Sequence, residues 1–184
     1  MPSDIILIGP IGAGKSTVGE LLAEQLSLPQ CSMDDWRWKY YKEIGYDQKL
    51  ADFKRKTEGF WGVCQYWKPF EAYAVKRLLA NHNDCVIDFG AGHSVYDNPR
   101  LFESVQQVMA PYPNVILLLP SPDVDTSLSI LTERNGDPSE GQRFVNEHLL
   151  KHPSNYKLAK FTVYTKSQTP AETCHEILRL VGWK

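Results

Sequence analysis

The chain opens on an apolar burst, Ile5-Ile6-Leu7-Ile8, in which no polar residue alternates with the apolar ones. A strand with one face in water alternates, so an unbroken run asks for cover on both faces, as in a parallel sheet between two layers of helices. Similar short runs follow at Cys85-Val86-Ile87-Asp88-Phe89, Val115 to Leu119 and Phe161-Thr162-Val163-Tyr164, each after a helix-length stretch, and a weaker one spans Gln30 to Met33. Between them the period changes: Val18, Leu21, Leu22 and Leu26 fall on one face at helical spacing, which predicts a helix from near Lys15 to Ser27 or Pro29. A second helix is expected from near Trp36. Five strands alternating with helices predict an α/β fold, because right-handed crossovers place the helices on both faces of a parallel sheet. There is no internal repeat and no low-complexity tract. The polar stretch from Arg134 to Gln142, with its Gly and Pro, reads as a loop.

Composition narrows the class without changing this picture. With 184 residues, 42% of them hydrophobic and 23% charged, the chain is long enough for one domain with a sizeable core, and residues 1–184 are read as a single unit. A net charge of −2 gives no field that would draw it to nucleic acid or an anionic membrane, so neither partner is expected and any anion must be held locally. The aliphatic run Val115 to Leu119 is far below the roughly 20 residues that span a bilayer. The first residues lack the basic start and long apolar stretch of a secretory signal. Cys31, Cys64, Cys85 and Cys174 are scattered singly, as in a reducing compartment, and a cytoplasmic location is expected.

Gly9-Pro10-Ile11-Gly12-Ala13-Gly14-Lys15-Ser16 satisfies the pattern G-x-x-x-x-G-K-S/T at every fixed position, directly after the first strand and before the first helix. Such a loop wraps so that successive backbone N–H groups face phosphate oxygens, and the helix N-terminus adds about half a positive charge. Gly12, Ala13, Gly14, Lys15, Ser16 and Thr17 are the expected nucleotide-binding residues, with Lys15 on the β and γ phosphates. The Ser16 hydroxyl is a hard oxygen suited to Mg²⁺. A GTPase would also need a guanine-reading Asn-Lys-x-Asp; the nearest stretch, Thr165-Lys166-Ser167-Gln168, lacks both the Asn and the Asp.

Together with Thr17-Val18-Gly19-x-x-Leu22-Ala23, the acid pair Asp34-Asp35, Gly90-Ala91-Gly92 after the third strand, arginines from Arg134 to Arg143, and Tyr156-x-x-Ala159, this loop makes the chain resemble the shikimate-kinase-like group of small P-loop kinases. The resemblance implies a five-stranded parallel sheet in 2-3-1-4-5 order and ATP-dependent phosphorylation of a small hydroxy acid. It also implies an acceptor-binding region at about residues 34–73 and a lid at about 134–150. Its acceptor positions depart from the pattern. The Asp-x-Asp at the end of strand two reads Ser32-Met33-Asp34, the arginine that clamps the shikimate carboxylate is Lys68, the glycine triplet is Gly90-Ala91-Gly92, and the second carboxylate-binding arginine is His152. Neither Lys nor His can make the planar two-pronged contact of arginine with a carboxylate, which speaks against shikimate itself.

Asp34 is assigned to the acceptor hydroxyl as an orienting group or proton acceptor, and Asp35 to the Mg²⁺ side, with Asp88 as the competing metal-side acid; either of the first two could instead cap the helix that follows. By resemblance Arg134 stacks on adenine and Arg143 meets the transferring phosphoryl group. The substrate-binding set is Asp34, Lys68, Gly90 and Gly92. His93 either faces the acceptor or is a satisfied loop histidine, while His148 and His152, one turn apart with no evident third ligand, read as structural. Twelve of the twenty-one aromatic residues lie between Trp36 and Tyr73, most of them expected to pack, a few to line a pocket. The expectation is an ATP- and Mg²⁺-dependent kinase for a hydroxyl of a small polar metabolite. A nucleoside or nucleotide kinase and a non-catalytic ATP-binding module are the competing readings.

Overall fold

The computed structural model describes residues 4–136 and 140–183. Among these, five strands form one parallel sheet in the order β2-β3-β1-β4-β5: β1 (Ile5–Ile8), β2 (Gln30–Ser32), β3 (Val86–Asp88), β4 (Val115–Leu119) and β5 (Phe161–Tyr164). The unalternated runs have the consequence expected of them. Ile5 and Leu7 of β1 enter one core with Val86, Ile116 and Leu118, while Ile6 and Ile8 enter the other with Ile87, Val115, Leu117 and Leu119. Successive side chains point to opposite faces, so the central strands β1, β3 and β4 feed both cores, while the edge strands feed one each, β2 through Cys31 and β5 through Val163.

The first core is closed by α1 (Lys15–Leu26), through Val18 and Leu22, and by α8 (Pro170–Leu180), through Cys174 and Ile177. On the opposite face lie α2 (Met33–Glu43), α3 (Gln48–Asn81), α4 (Pro99–Met109) and α7 (Pro153–Leu158). α5 (Val124–Arg134) and α6 (Glu140–Lys151) pack on each other beside the phosphate loop. Side-chain caps fix several helix starts by accepting otherwise orphaned N–H groups: Asp47 caps α3, Asn98 caps α4, Asp123 caps α5, and Thr169 with Glu172 forms a capping box on α8. α3 is broken at Gly59, whose φ of 70° lies outside the helical region, and its second half carries the wall of the functional cavity.

Two boundaries differ from the sequence reading. Met33 begins α2 rather than ending β2, three residues ahead of the expected start at Trp36, because its side chain is drawn fully into the core beneath the sheet. The N-cap is therefore Ser32, and Asp34 and Asp35 occupy the first helical turn instead of capping it.

Candidate active site

The loops after β1, β2 and β3 open on the carboxyl edge of the sheet, where α/β folds bind ligands. There they bound a cavity of about 630 Å³. One end is the loop from Gly9 to Gly14 leading into α1. Gly14 holds a φ of 93°, a left-handed conformation that suits glycine, and this turn aims the start of α1 into the cavity. The Lys15 ammonium donates to the carbonyls of Gly9 (3.0 Å) and Pro10 (2.9 Å) and is largely buried. Burial lowers its pKa to about 8, against the opposing pull of Asp88 and Asp34.

Gly12, Gly14, Lys15, Ser16 and Thr17 line the cavity. Ala13 does not. Its methyl is buried with Val18 and Leu22, and its N–H closes a turn on Pro10 (3.3 Å). The loop is tied from outside by Asn146 of α6, whose Oδ1 accepts from the Ile11 N–H (3.0 Å) and whose Nδ2 donates to the Ile11 carbonyl (3.2 Å).

Asp88 is the acid that reaches the start of α1. It shares the parity of Val86 on β3 and so points to the α1 face, where Ser16 Oγ donates to its Oδ2 at 2.8 Å. Ser32, its register partner on β2, donates to the same oxygen at 3.0 Å, and Gln30 Nε2 donates to Oδ1 at 3.0 Å. This is a set of hard oxygens converging beside the phosphate loop, the donor chemistry Mg²⁺ prefers. Asp35, expected on the metal side, is exposed, since one residue along a helix turns a side chain by roughly 100° from Asp34; neither it nor the buried Asp88 is among the residues lining the cavity, and Asp88 alone bonds Ser16.

The acceptor end is built by α2, α3 and the turn after β3. Asp34 and Arg37, one turn apart on α2, both line the cavity and pair at 3.2 Å, with the Arg37 guanidinium over the Trp38 ring. Phe60, Trp61, Cys64, Trp67, Lys68 and Glu71 recur at helical spacing down one face of α3 and form the long wall. Lys68 Nζ is bound to Glu71 Oε2 at 2.7 Å and donates to the Gly92 carbonyl at 3.0 Å. Gly92 is held close to this pair; a Cβ there would overlap the Glu71 carboxylate. Gly90 lies beside Asp34 and the His93 ring.

His93 is a satisfied loop histidine. It is buried, its Nδ1 donates to the Gly90 carbonyl (3.2 Å), and its Nε2 accepts from the Tyr41 hydroxyl (3.1 Å). Burial pushes its pKa down to about 4, so the ring is neutral near pH 7.

Of the two arginines, Arg134 lines the cavity and donates to Thr165 Oγ1 at 3.5 Å. Arg143 does not line it: α6 turns Val145, His148 and Leu149 inward and leaves Arg143 exposed on another face, so the expected contact with the phosphoryl group is absent from this geometry. Asp137, Pro138 and Ser139 of the intervening loop lie outside the described residues.

His148 and His152 do gain a third group, Asp97, at 3.5 and 3.2 Å. The cluster is nonetheless a poor metal site. His152 Nδ1 accepts the Ser154 N–H as the cap of α7, so its Nε2 carries the proton and donates to Asp97 instead of offering a lone pair. Sequence reasoning missed Arg37, Asn146 and Asp97. Only Arg37 left a local trace, the Asp-Arg pair at i and i+3 on a helix.

Fold and loop together define a P-loop nucleotide-binding protein whose cavity extends from the phosphate loop to Asp34, Gly90 and Gly92. A family model described as shikimate kinase matches residues 11–181. Shikimate kinases of Enterococcus faecalis and Persephonella marina are 28% and 29% identical to this chain, each over 95% of it and 96% of the relative. Among solved structures, the shikimate kinase of Acinetobacter baumannii in complex with shikimate superposes with a TM-score of 0.67 at 23% identity, covering 98% of this chain and 93% of that one. A gluconokinase of Sinorhizobium meliloti superposes at 0.61 with 19% identity, covering 98% and 92%. The chain belongs to the shikimate kinase family, and is a small-molecule kinase of the phosphotransferase class.

Proposed function

We propose that the protein transfers the γ-phosphoryl group of ATP to a hydroxyl of a small polar molecule. The observation that carries this reading is a single cavity holding the phosphate loop at one end and Asp34, Gly90 and Gly92 at the other. Backbone N–H groups of the loop and the start of α1 face the nucleotide's phosphates, Lys15 neutralises the β and γ oxygens, and Arg134 lies on the nucleotide side. Ser16 and Asp88 would hold Mg²⁺, which when bound neutralises and aligns the phosphates. Asp34 orients the acceptor hydroxyl and takes its proton as the new P–O bond forms and the bond to the leaving ADP oxygen breaks. Arg37 fixes the Asp34 carboxylate on the cavity side of α2. The aromatic wall of α3 excludes water that would otherwise consume the nucleotide.

The four cysteines are free thiols, in keeping with the cytoplasmic setting expected from the sequence. Among the described residues no helix is long and apolar enough to cross a membrane. The test of the reading is transfer itself: with ATP and Mg²⁺, the protein is expected to release ADP only when an acceptor is present. Asp34→Asn is expected to lower kcat about 100-fold or more while ATP affinity changes little. Equal loss of ATP affinity would remove Asp34 from the acceptor role.

A further inference from the structure

Arg37 and Arg134 are the arginines that line the cavity among the described residues. Arg134, at the end of α5, donates to Thr165 Oγ1 at 3.5 Å. Arg37 belongs to the acceptor end, on α2, one turn from Asp34. Its commitments to the protein are few. Nη1 meets Asp34 Oδ1 at 3.2 Å, but that carboxylate is 57% exposed and so largely hydrated. Nε is buried with no hydrogen-bond partner, and Nη2 has no protein partner among the described residues. The guanidinium lies over the Trp38 ring, with Cζ 4.7 Å from its centroid.

The open donors form a pattern with chemical meaning. In a guanidinium the Nε–H and one N–H of Nη2 point the same way, and this edge is the fork that meets two oxygens of one carboxylate or phosphate. In Arg37 that edge is unpaired, while Nη1, on the other side, is the atom on Asp34. A charged donor shielded from water without a partner is unfavourable, and an oxyanion supplies what is missing. The Trp38 face steadies the plane by a cation–π contact, and with 30% of the side chain exposed the guanidinium is free to turn its open edge to a ligand. A neutral hydroxyl would meet one donor at a time and bring no opposite charge. Lys68 already gives two of its three ammonium protons, to Glu71 and to the Gly92 carbonyl, so Arg37 is the acceptor-side cation with the most donors open.

We infer that Arg37 binds the acceptor directly, through a carboxylate or phosphate group, and so sets a preference for an anionic acceptor over its neutral analogue; the inference rests on the kinase reading above. Asp34 lies three residues earlier on the same face of α2, so one ligand can reach both, its oxyanion on the Nε–Nη2 edge and its hydroxyl at the Asp34 carboxylate. Nη1 keeps that carboxylate in place while the other edge is filled. Recognition and proton removal are then tied through a single helical turn.

The test uses matched pairs that differ chiefly at the anion: shikimate against its methyl ester, gluconate against glucitol, and glucose 6-phosphate against glucose, the last separating phosphate from carboxylate. Binding to the wild-type protein, Arg37→Gln and Arg37→Lys is measured by calorimetry with a non-hydrolysable ATP analogue present, and ADP release is measured separately with ATP and Mg²⁺. In at least one pair the wild-type protein is expected to bind the anion about tenfold or more tighter than its neutral partner. Arg37→Gln is expected to remove that preference by weakening the anion alone, with the neutral member bound within about twofold of wild type. Arg37→Lys, which keeps the charge and loses the fork, is expected to lower the ratio about threefold or more. A residue that only held Asp34 would slow turnover and leave the anion-to-neutral ratio unchanged, and that result overturns the inference. Equal binding of both members, or binding of neither, in every wild-type pair overturns it as well. Selective binding without ADP release in any arm overturns the kinase reading instead and leaves the Arg37 contact standing. If Arg37→Gln does not fold, the ratio in Arg37→Lys decides.

Discussion

Lys15 is the residue on which the nucleotide end turns. Its ammonium is buried against two loop carbonyls, and its pKa is lowered to about 8. The charged form is the one that attracts phosphate, and an incoming triphosphate favours that form, so its pKa must rise on binding. Affinity for ATP is then expected to be flat below pH 8 and to fall as pH rises beyond it, by up to about tenfold per unit until the pKa of the complex is reached. Titration of the protein with a non-hydrolysable ATP analogue between pH 7 and 9.5 checks this, and in Lys15→Ala the slope should vanish along with most of the affinity. Asp88 makes a second residue-level case. It was readable as an acid at a strand end, but its rank over Asp35 depends on a contact between Ser16 and Asp88 that no local pattern announces. Asp88→Asn is expected to weaken Mn²⁺ binding to the protein–nucleotide complex at least tenfold, read by electron paramagnetic resonance. Unchanged Mn²⁺ affinity would return the metal role to another acid.

At the level of elements, the register of β2 on β3 explains how an acid can change strands without leaving the site. Ser32 and Asp88 are direct partners, and their side chains meet at 3.0 Å. The resembling family's pattern has an acid where this chain has Ser32. The exchange Ser32→Asp with Asp88→Ser is therefore expected to recover much of the Mn²⁺ affinity that Asp88→Ser alone removes; failure to recover any would mean that the two positions are not equivalent. α6 acts on the phosphate loop through the two hydrogen bonds of Asn146 to Ile11. Asn146→Leu leaves the Ile11 N–H and carbonyl without that partner, at a cost of about 1–3 kcal/mol. A lower Tm and a raised KM for ATP are expected, with kcat at saturating ATP less affected. The strands and the loop were legible in the sequence because each is local: apolar runs without alternation, and eight consecutive residues of the P-loop. The start of α2 at Met33 was not, since tertiary burial of that side chain overrode the boundary suggested by the following polar residues. Nor were Asn146 or the contact of Lys68 with the Gly92 carbonyl, because residues 135 and 24 positions apart meet only once the sheet is assembled.

The whole molecule brings the two ends of one cavity to one edge of a sheet whose central strands are covered on both faces. The phosphate loop follows β1, Asp88 ends β3, Asp34 lies in the first turn of α2, and the aromatic wall comes from the second half of α3. On the proposed reading, catalysis is chiefly alignment and charge neutralisation, which phosphoryl transfer allows without a covalent intermediate on the protein. The most direct measurement is ADP release by the wild-type protein and by Lys15→Ala, with ATP, Mg²⁺ and each acceptor in turn. Acceptor-dependent release that falls by about 100-fold or more in Lys15→Ala is the expected result. Equal release from both proteins, or ATP left intact by the wild type with every acceptor, would contradict the account.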